Sequence, residues 1–214
     1  MKNPMIKKWC DDCLEEDMQS SYINQSWIGK RDNSCFAFSY NDILGVFNED
    51  DVIEFLCLEI DREDCFGGTL LSTAVERDNL GLCAKVLARG ADPDVPLGFD
   101  SLVLAVQSEG ENSLAIFKAM LPFSKKGIYD FPRIGGGALL QEAVRMERMD
   151  IAEFLFQNGS SLEEMDIDCN PVWAHALDVG GEPYLAKLEA LLPADSSWQR
   201  PASLEFRMRG PIYS

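Results

Sequence analysis

The chain has 214 residues, 46% of them hydrophobic, which suits one compact domain or one short repeat array and excludes disorder as the default for its apolar-dense middle. Asp and Glu number 36 against 19 Lys and Arg, a formal net charge of −17. A surface this acidic repels phosphate backbones and anionic membranes, so nucleic acid and membrane adhesion are disfavoured, while a basic protein or a small cationic ligand is favoured.

Residues 1–40 read as a polar, charged, non-repeat segment with scattered aromatics at Trp9, Tyr22 and Trp27. The opening MKNPMIKKWCDDCLEED lacks an apolar run that could serve as a signal-peptide core. The longest uncharged apolar stretches fall far short of the roughly 20 residues that cross a bilayer. Seven cysteines form neither a closed nor a regularly spaced set. A reducing intracellular compartment is therefore expected, cytoplasmic or else nuclear, with most thiols acting as small buried apolar residues. Cys10-Asp-Asp-Cys13 has the spacing of half a zinc site, but Cys35, Cys57, Cys65, Cys83 and Cys169 are scattered and His175 is the sole histidine. No metal and no cofactor is expected.

Residues 41–193 carry a repeated two-helix pattern. Asn41–Phe47 and Asp50–Leu58 read as a divergent first pair. Between Glu49 and Asp64 lie eight carboxylates and one base, Arg62. That run reads as a solvated acidic face, with a docking patch for a basic partner as the alternative. From Thr69 to Asp94 the pattern is clearest. It predicts helices over Leu70–Arg77 and Leu80–Ala88, a turn at Asp78-Asn79, and a left-handed helix end at Gly90. Asp92-Pro93-Asp94 then turns the chain outward.

The pattern recurs at Ser101–Val106 with Ile116–Leu121, at Ala138–Val144 with Asp150–Gly159, and at Pro171–Leu177 with Tyr184–Leu192. Equivalent alanines, Ala74, Ala105, Ala143 and Ala176, are spaced by 31, 38 and 33 residues. The long middle step places extra residues around Glu109–Asn112 and in the loop Pro122–Gly137. Gly135-Gly136-Gly137, beside Arg133, precedes a helix start but lacks the G-K-[ST] ending of a phosphate loop, so it reads as a turn. Residues 194–214 form a tail with Arg200, Arg207 and Arg209, placed either to pack back on the array or to reach a partner.

The stretch Thr69–Asp94, with Gly90-Ala91-Asp92-Pro93, resembles the ankyrin family, whose signature is T-P-L-H-x-A-A, a turn, an apolar helix, then G-A-D-P-N. The resemblance extends over 41–193. It implies an all-α fold: a short ankyrin-type solenoid of antiparallel helix pairs with non-repeat terminal segments. The signature histidine is replaced by Ser72, Val103, Gln141 and Ala174. The second pair ends in Pro122-Phe-Ser-Lys-Lys in place of G-A-D.

A fold of this kind implies partner binding along a concave surface of first helices and hairpin tips. The first-helix positions expected to be exposed are Thr73, Glu76, Arg77, Gln107, Ser108, Glu142, Arg145, His175 and Asp178, with tips at Leu97, Phe99 and Ile128–Phe131. The expected partner-binding set is Glu76, Arg77, Phe99, Gln107, Glu142, Arg145, His175 and Asp178, and the expected partner is a protein with a basic surface. His175 could serve as a base for a Cys or Ser nucleophile, but no sequence pattern places one. The alternative is a small enzyme on the same scaffold, using carboxylates to hold an arginine-like or amine-bearing molecule.

Overall fold

The computed structural model describes residues 4–9, 12, 39–56, 59–64, 66–95, 100–125, 139–166 and 168–204. Two compact units divide the chain, residues 1–104 and 105–214. In the first, residues 4–9 are helical, followed by α1 (Tyr40–Val46), α2 (Glu49–Leu56), α3 (Leu70–Glu76) and α4 (Leu80–Ala88). The division falls within α5 (Ser101–Gln107). The second unit continues with α6 (Ser113–Met120), a 3-10 turn at Leu121–Phe123, α7 (Leu139–Arg145), α8 (Met149–Gln157) and α9 (Val172–Glu189). No strand occurs among the described residues; Met165 and Pro171 form an isolated bridge. The fold is all-α, as the repeat pattern predicts.

Local chemistry explains where these helices start. Ser39 accepts the Asp42 N–H at 3.1 Å to cap α1, and Asn48 accepts the Asp51 N–H at 2.9 Å to cap α2. Thr69 and Ser72 form a reciprocal box at the head of α3: Thr69 Oγ1 accepts the Ser72 N–H at 3.2 Å, and Ser72 Oγ accepts the Thr69 N–H at 2.9 Å. Asn79 caps α4 by accepting the Leu82 N–H at 2.9 Å.

The helix ends repeat one geometry. Gly90 (φ 90°) closes α4 and Gly159 (φ 99°) closes α8. The next residues donate six-residue closures, Ala91 N–H to Val86 O at 3.3 Å and Ser160 N–H to Leu155 O at 3.0 Å. First helices end the same way without glycine. Asp78 (φ 51°) and Glu147 (φ 54°) stand left-handed after α3 and α7, with Asn79 N–H to Ala74 O at 3.0 Å and Arg148 N–H to Ala143 O at 2.8 Å.

The apolar faces supply the core. In the first unit α1 packs on α2 and α3, and α3 on α4, burying Tyr40, Ile43, Leu70, Leu71, Leu82 and Val86. There too Ile6 is fully buried, and Trp9 meets Phe47 edge-on at 6.0 Å. In the second, α7 packs on α8 and α9, burying Leu140, Val144, Ile151, Leu155, Val172 and Leu185. All four alanines used to align the repeats are fully buried.

One predicted pair is joined differently. The helical parts of Pro171–Leu177 and Tyr184–Leu192 are joined in the single element α9 (Val172–Glu189), broken at Gly180 and Gly181, with Pro183 just beyond. Gly181 has φ 66° and ψ −162°, a conformation essentially confined to glycine. A Cβ on Gly180 would lie 2.7 Å from the Cβ of Tyr184, so the chain turns there only because both side chains are missing.

Two measurements check this packing. Ala143→Leu should overpack the contact of α7 with its neighbours and lower stability by about 1–3 kcal/mol in denaturant unfolding. Glu147→Gly should raise stability by about 1 kcal/mol, because glutamate at positive φ carries a steric cost that glycine lacks.

Candidate interaction surface

In the first unit, Glu76 ends α3 and Arg77 follows it. Arg77 is committed to the preceding pair: its Nε donates to Asn41 Oδ1 at 2.7 Å and its Nη2 to the Asn41 carbonyl at 3.0 Å. Glu76 is exposed, and partial burial of its carboxyl together with the charge of Asp64 pushes its pKa up. Asp64 is itself buried, accepting the N–H groups of Phe66 at 2.9 Å, Gly68 at 3.0 Å and Tyr40 at 3.0 Å. Part of the acidic run is paired. Glu49 accepts from Asn79 Nδ2 at 2.8 Å, and Lys85 reaches Glu49 at 3.1 Å and Asp50 at 3.0 Å.

In the second unit, Gln107 Nε2 donates to Glu142 Oε1 at 2.7 Å, and Arg145 lies 3.4 Å from Glu142 Oε2. The Arg145 side chain is 50% exposed and that of Glu142 only 19%. His175 Nε2 is hydrogen-bonded to Asp166 Oδ2 at 2.9 Å, its side chain 13% exposed. Asp166 is buried and also accepts the Asp168 N–H at 2.9 Å, the Asn170 N–H at 2.7 Å and Asn170 Nδ2 at 3.1 Å. Asp178 is exposed on α9.

Arg148, which precedes α8, holds the second unit together. Its Nη1 donates to the Val106 carbonyl at 3.3 Å and to the Ser108 carbonyl, so it closes the end of α5. Its Nη2 donates to Ser113 Oγ at 2.6 Å at the head of α6. Nε and Nη2 also meet Asp150 at 3.1 and 2.9 Å. That pairing lowers the pKa of the Asp150 carboxyl. All five guanidinium N–H groups are thus used, at a side chain 16% exposed.

No protein-family profile matches the chain, and no curated protein matches it. Solved structures do. The ankyrin repeat domain of Bcl-3, a unique member of the IkappaB protein family, aligns with a TM-score of 0.56 and 19% identity, covering 67% of this chain and 67% of that one. The ankyrin repeat protein EF0377 aligns with a TM-score of 0.54 and 18% identity, covering 66% of this chain and 72% of that one. The fold is that of ankyrin repeats.

Within these ankyrin repeats, several sequence-based expectations need correction. Thr73 is buried and cannot meet a partner. Glu142 and His175 are largely covered, because each is hydrogen-bonded to a neighbouring element. Arg77 is exposed as expected, and its guanidinium is tied to Asn41, so it joins two helix pairs. Glu76, Gln107, Arg145 and Asp178 are exposed as expected, and Ser108 is half-buried. Phe99, Leu97 and Ile128–Phe131 lie outside the described residues, as do Cys10, Cys13 and Gly135–Gly137. Cys83 is buried and its thiol is pushed up to about 12 by burial, which makes it an apolar residue rather than a nucleophile. Cys169, by contrast, is exposed. No helix among the described residues is long and apolar enough to cross a membrane, and no group of three metal-ligating side chains occurs among them.

The sequence reading missed Arg148 and the two buried aspartates. Asp64 and Asp166 had a signal: each opens a five-residue turn just before a first helix. Arg148 had none, because the α5 and α6 groups it joins, at Val106, Ser108 and Ser113, lie 35 to 42 residues away.

Two outcomes follow from this geometry. Arg148→Ala should cost about 2–4 kcal/mol, since the part-buried carbonyls at the end of α5 lose their donor, and Arg148→Lys should restore little of it. For Glu76 the sign is reversed from the usual carboxylate. Its folded pKa is raised, so the folded chain holds the proton more tightly and ionisation costs stability as pH rises above the ordinary glutamate range. Glu76→Gln should therefore raise the melting temperature at neutral pH, and the difference should vanish below about pH 4.

Proposed function

We propose that this protein is a protein-interaction module that binds a partner with a basic surface through the first-helix face of its repeat array, residues 41–193. The reading is carried by an ankyrin-repeat fold bearing a net charge of −17. Exposed first-helix side chains supply the recognition: Glu76 in one unit, and Gln107, Arg145 and Asp178 in the other. Their backbone is held by buried hydrogen bonds, so a partner meets a surface that needs little ordering on binding. In the tail, Trp198 Nε1 donates to Glu189 at 3.2 Å, and Arg200 lies 3.4 Å from Glu189 and 3.6 Å from Glu182. Those contacts support a reading in which residues 194–204 cover the end of the array.

Capture of partners from the native cell extract at low and high salt tests this, since contacts between exposed charges are screened as salt rises. Asp178→Lys and Glu76→Lys should each weaken binding about fivefold, roughly 1 kcal/mol, while neither lowers the melting temperature. Binding that ignores salt and both reversals, yet disappears when Ala194–Ser214 is removed, would move the site to the tail.

A further inference from the structure

We propose that Phe66 anchors a second docking point on this protein, seating in an apolar cleft rimmed by lysine or arginine on a partner protein. The proposal rests on the interaction-module reading and adds a site outside the first-helix face. It comes from comparing two turns built alike. Asp64 Oδ1 accepts from Phe66 and Gly68, and Asp166 Oδ1 accepts from Asp168 and Asn170, the residues two and four positions on in each case. The backbone closures match as well. Asp64 N–H bonds Gly68 O at 2.8 Å and Asp166 N–H bonds Asn170 O at 3.0 Å, while Gly67 and Cys169 donate back to the two aspartate carbonyls at 3.1 and 3.0 Å. Gly67 (φ 79°) and Cys169 (φ 59°) are both left-handed.

Phe66 and Asp168 therefore hold the same place in the same turn. The turn forms with an aspartate there, so it has no need of an aromatic ring. Yet Phe66 is 83% exposed, the most exposed of the large apolar residues described. The hydrogen-bonded turn fixes the backbone that carries the ring, so little backbone ordering is needed when Phe66 enters a cleft, which favours a binding anchor.

The surroundings choose the partner. Residues 59–64 hold Glu59, Asp61, Glu63 and Asp64 against Arg62, whose guanidinium is already paired with Glu59 at 2.7 Å. Glu63 reaches over the turn, its Oε2 lying 3.7 Å from where a Cβ on Gly67 would stand. The negative field at Asp64 also extends to Glu76, whose proton it helps to retain. A cleft rimmed by cations suits this field, and a cation at the ring face gains further attraction.

The test titrates the isotopically labelled full chain with an amphipathic Lys/Leu peptide and a matched Glu/Leu peptide, read by amide chemical shifts. The Lys/Leu peptide should shift residues 63–68, the Glu/Leu peptide should not bind, and Phe66→Leu should keep most of the affinity. Phe66→Asp copies the other turn, so the melting temperature should hold. That variant adds a negative charge that favours a cationic peptide, so a loss of about tenfold or more in affinity would belong to the lost anchor. Equal binding by native and Phe66→Asp chains, or no binding to the native chain, would overturn the docking point. Shifts confined to Gln107, Arg145 and Asp178 would overturn it too, while leaving the first-helix reading intact.

Discussion

A helix of seven to nine residues does not hold its shape alone in water, and apart from α9 every labelled helix of this chain is of that length. Each is stable only because its apolar side is covered and its polar ends are satisfied by a neighbouring pair. The joins between pairs therefore govern everything else. In the first unit the join is made by Asn79, which caps its own helix with Oδ1 and reaches Glu49 with Nδ2. The residue in the corresponding place of the second unit is Arg148. It has no acceptor and cannot cap α8, yet its fork spans the end of α5 and the head of α6 together. Asp150, in the first turn of α8, supplies negative charge at the helix end that Arg148 leaves uncapped.

The parts of this arrangement that depend on neighbours in sequence were legible in advance. The repeated amphipathic helix pattern located the helices to within a few residues, and the recurring alanines marked positions that prove fully buried. Gly90 announced its own left-handed turn. Asp78 was legible as a turn residue, but Glu147 in the equivalent place was not, since nothing in glutamate favours positive φ. The candidate surface was read less well. Predicting exposure from helix position ignores what a long side chain can reach: Glu142 and His175 are largely covered by bonds to other elements, and Arg77, though exposed, is tied to Asn41. Such bonds cross 9 to 36 residues of sequence and leave no periodic trace.

The replaced signature histidine shows how one position is solved twice. Ser72 turns inward on its own helix start, donating to the Thr69 carbonyl at 2.9 Å while taking the Thr69 N–H. Gln141 is long enough to leave its helix, and its Nε2 donates to the Glu164 carbonyl at 3.2 Å in the following turn. The second solution is less complete. Gln141 Oε1 and Glu164 Oε2 are buried without a hydrogen-bond partner, and burial pushes the Glu164 carboxyl up. A buried acceptor without a donor costs stability, so the gain from the long-range bond is partly offset where it is made.

The acidity of the chain also divides by task, and this limits what a partner can feel. Asp64 and Asp166 are buried acceptors that build turns, so they hold the backbone instead of greeting solvent. Glu49, Glu142, Asp150 and Glu189 are each engaged by a cation or an N–H donor from elsewhere in their own unit. A count of 36 carboxylates therefore overstates the field available for recognition. What reaches outward is set by exposed groups such as Glu76 and Asp178, and by the few that stand near a side chain the fold does not need. Phe66 is such a side chain, and the Glu63 carboxylate stands beside the turn that presents it, 3.7 Å from where a Cβ on Gly67 would lie.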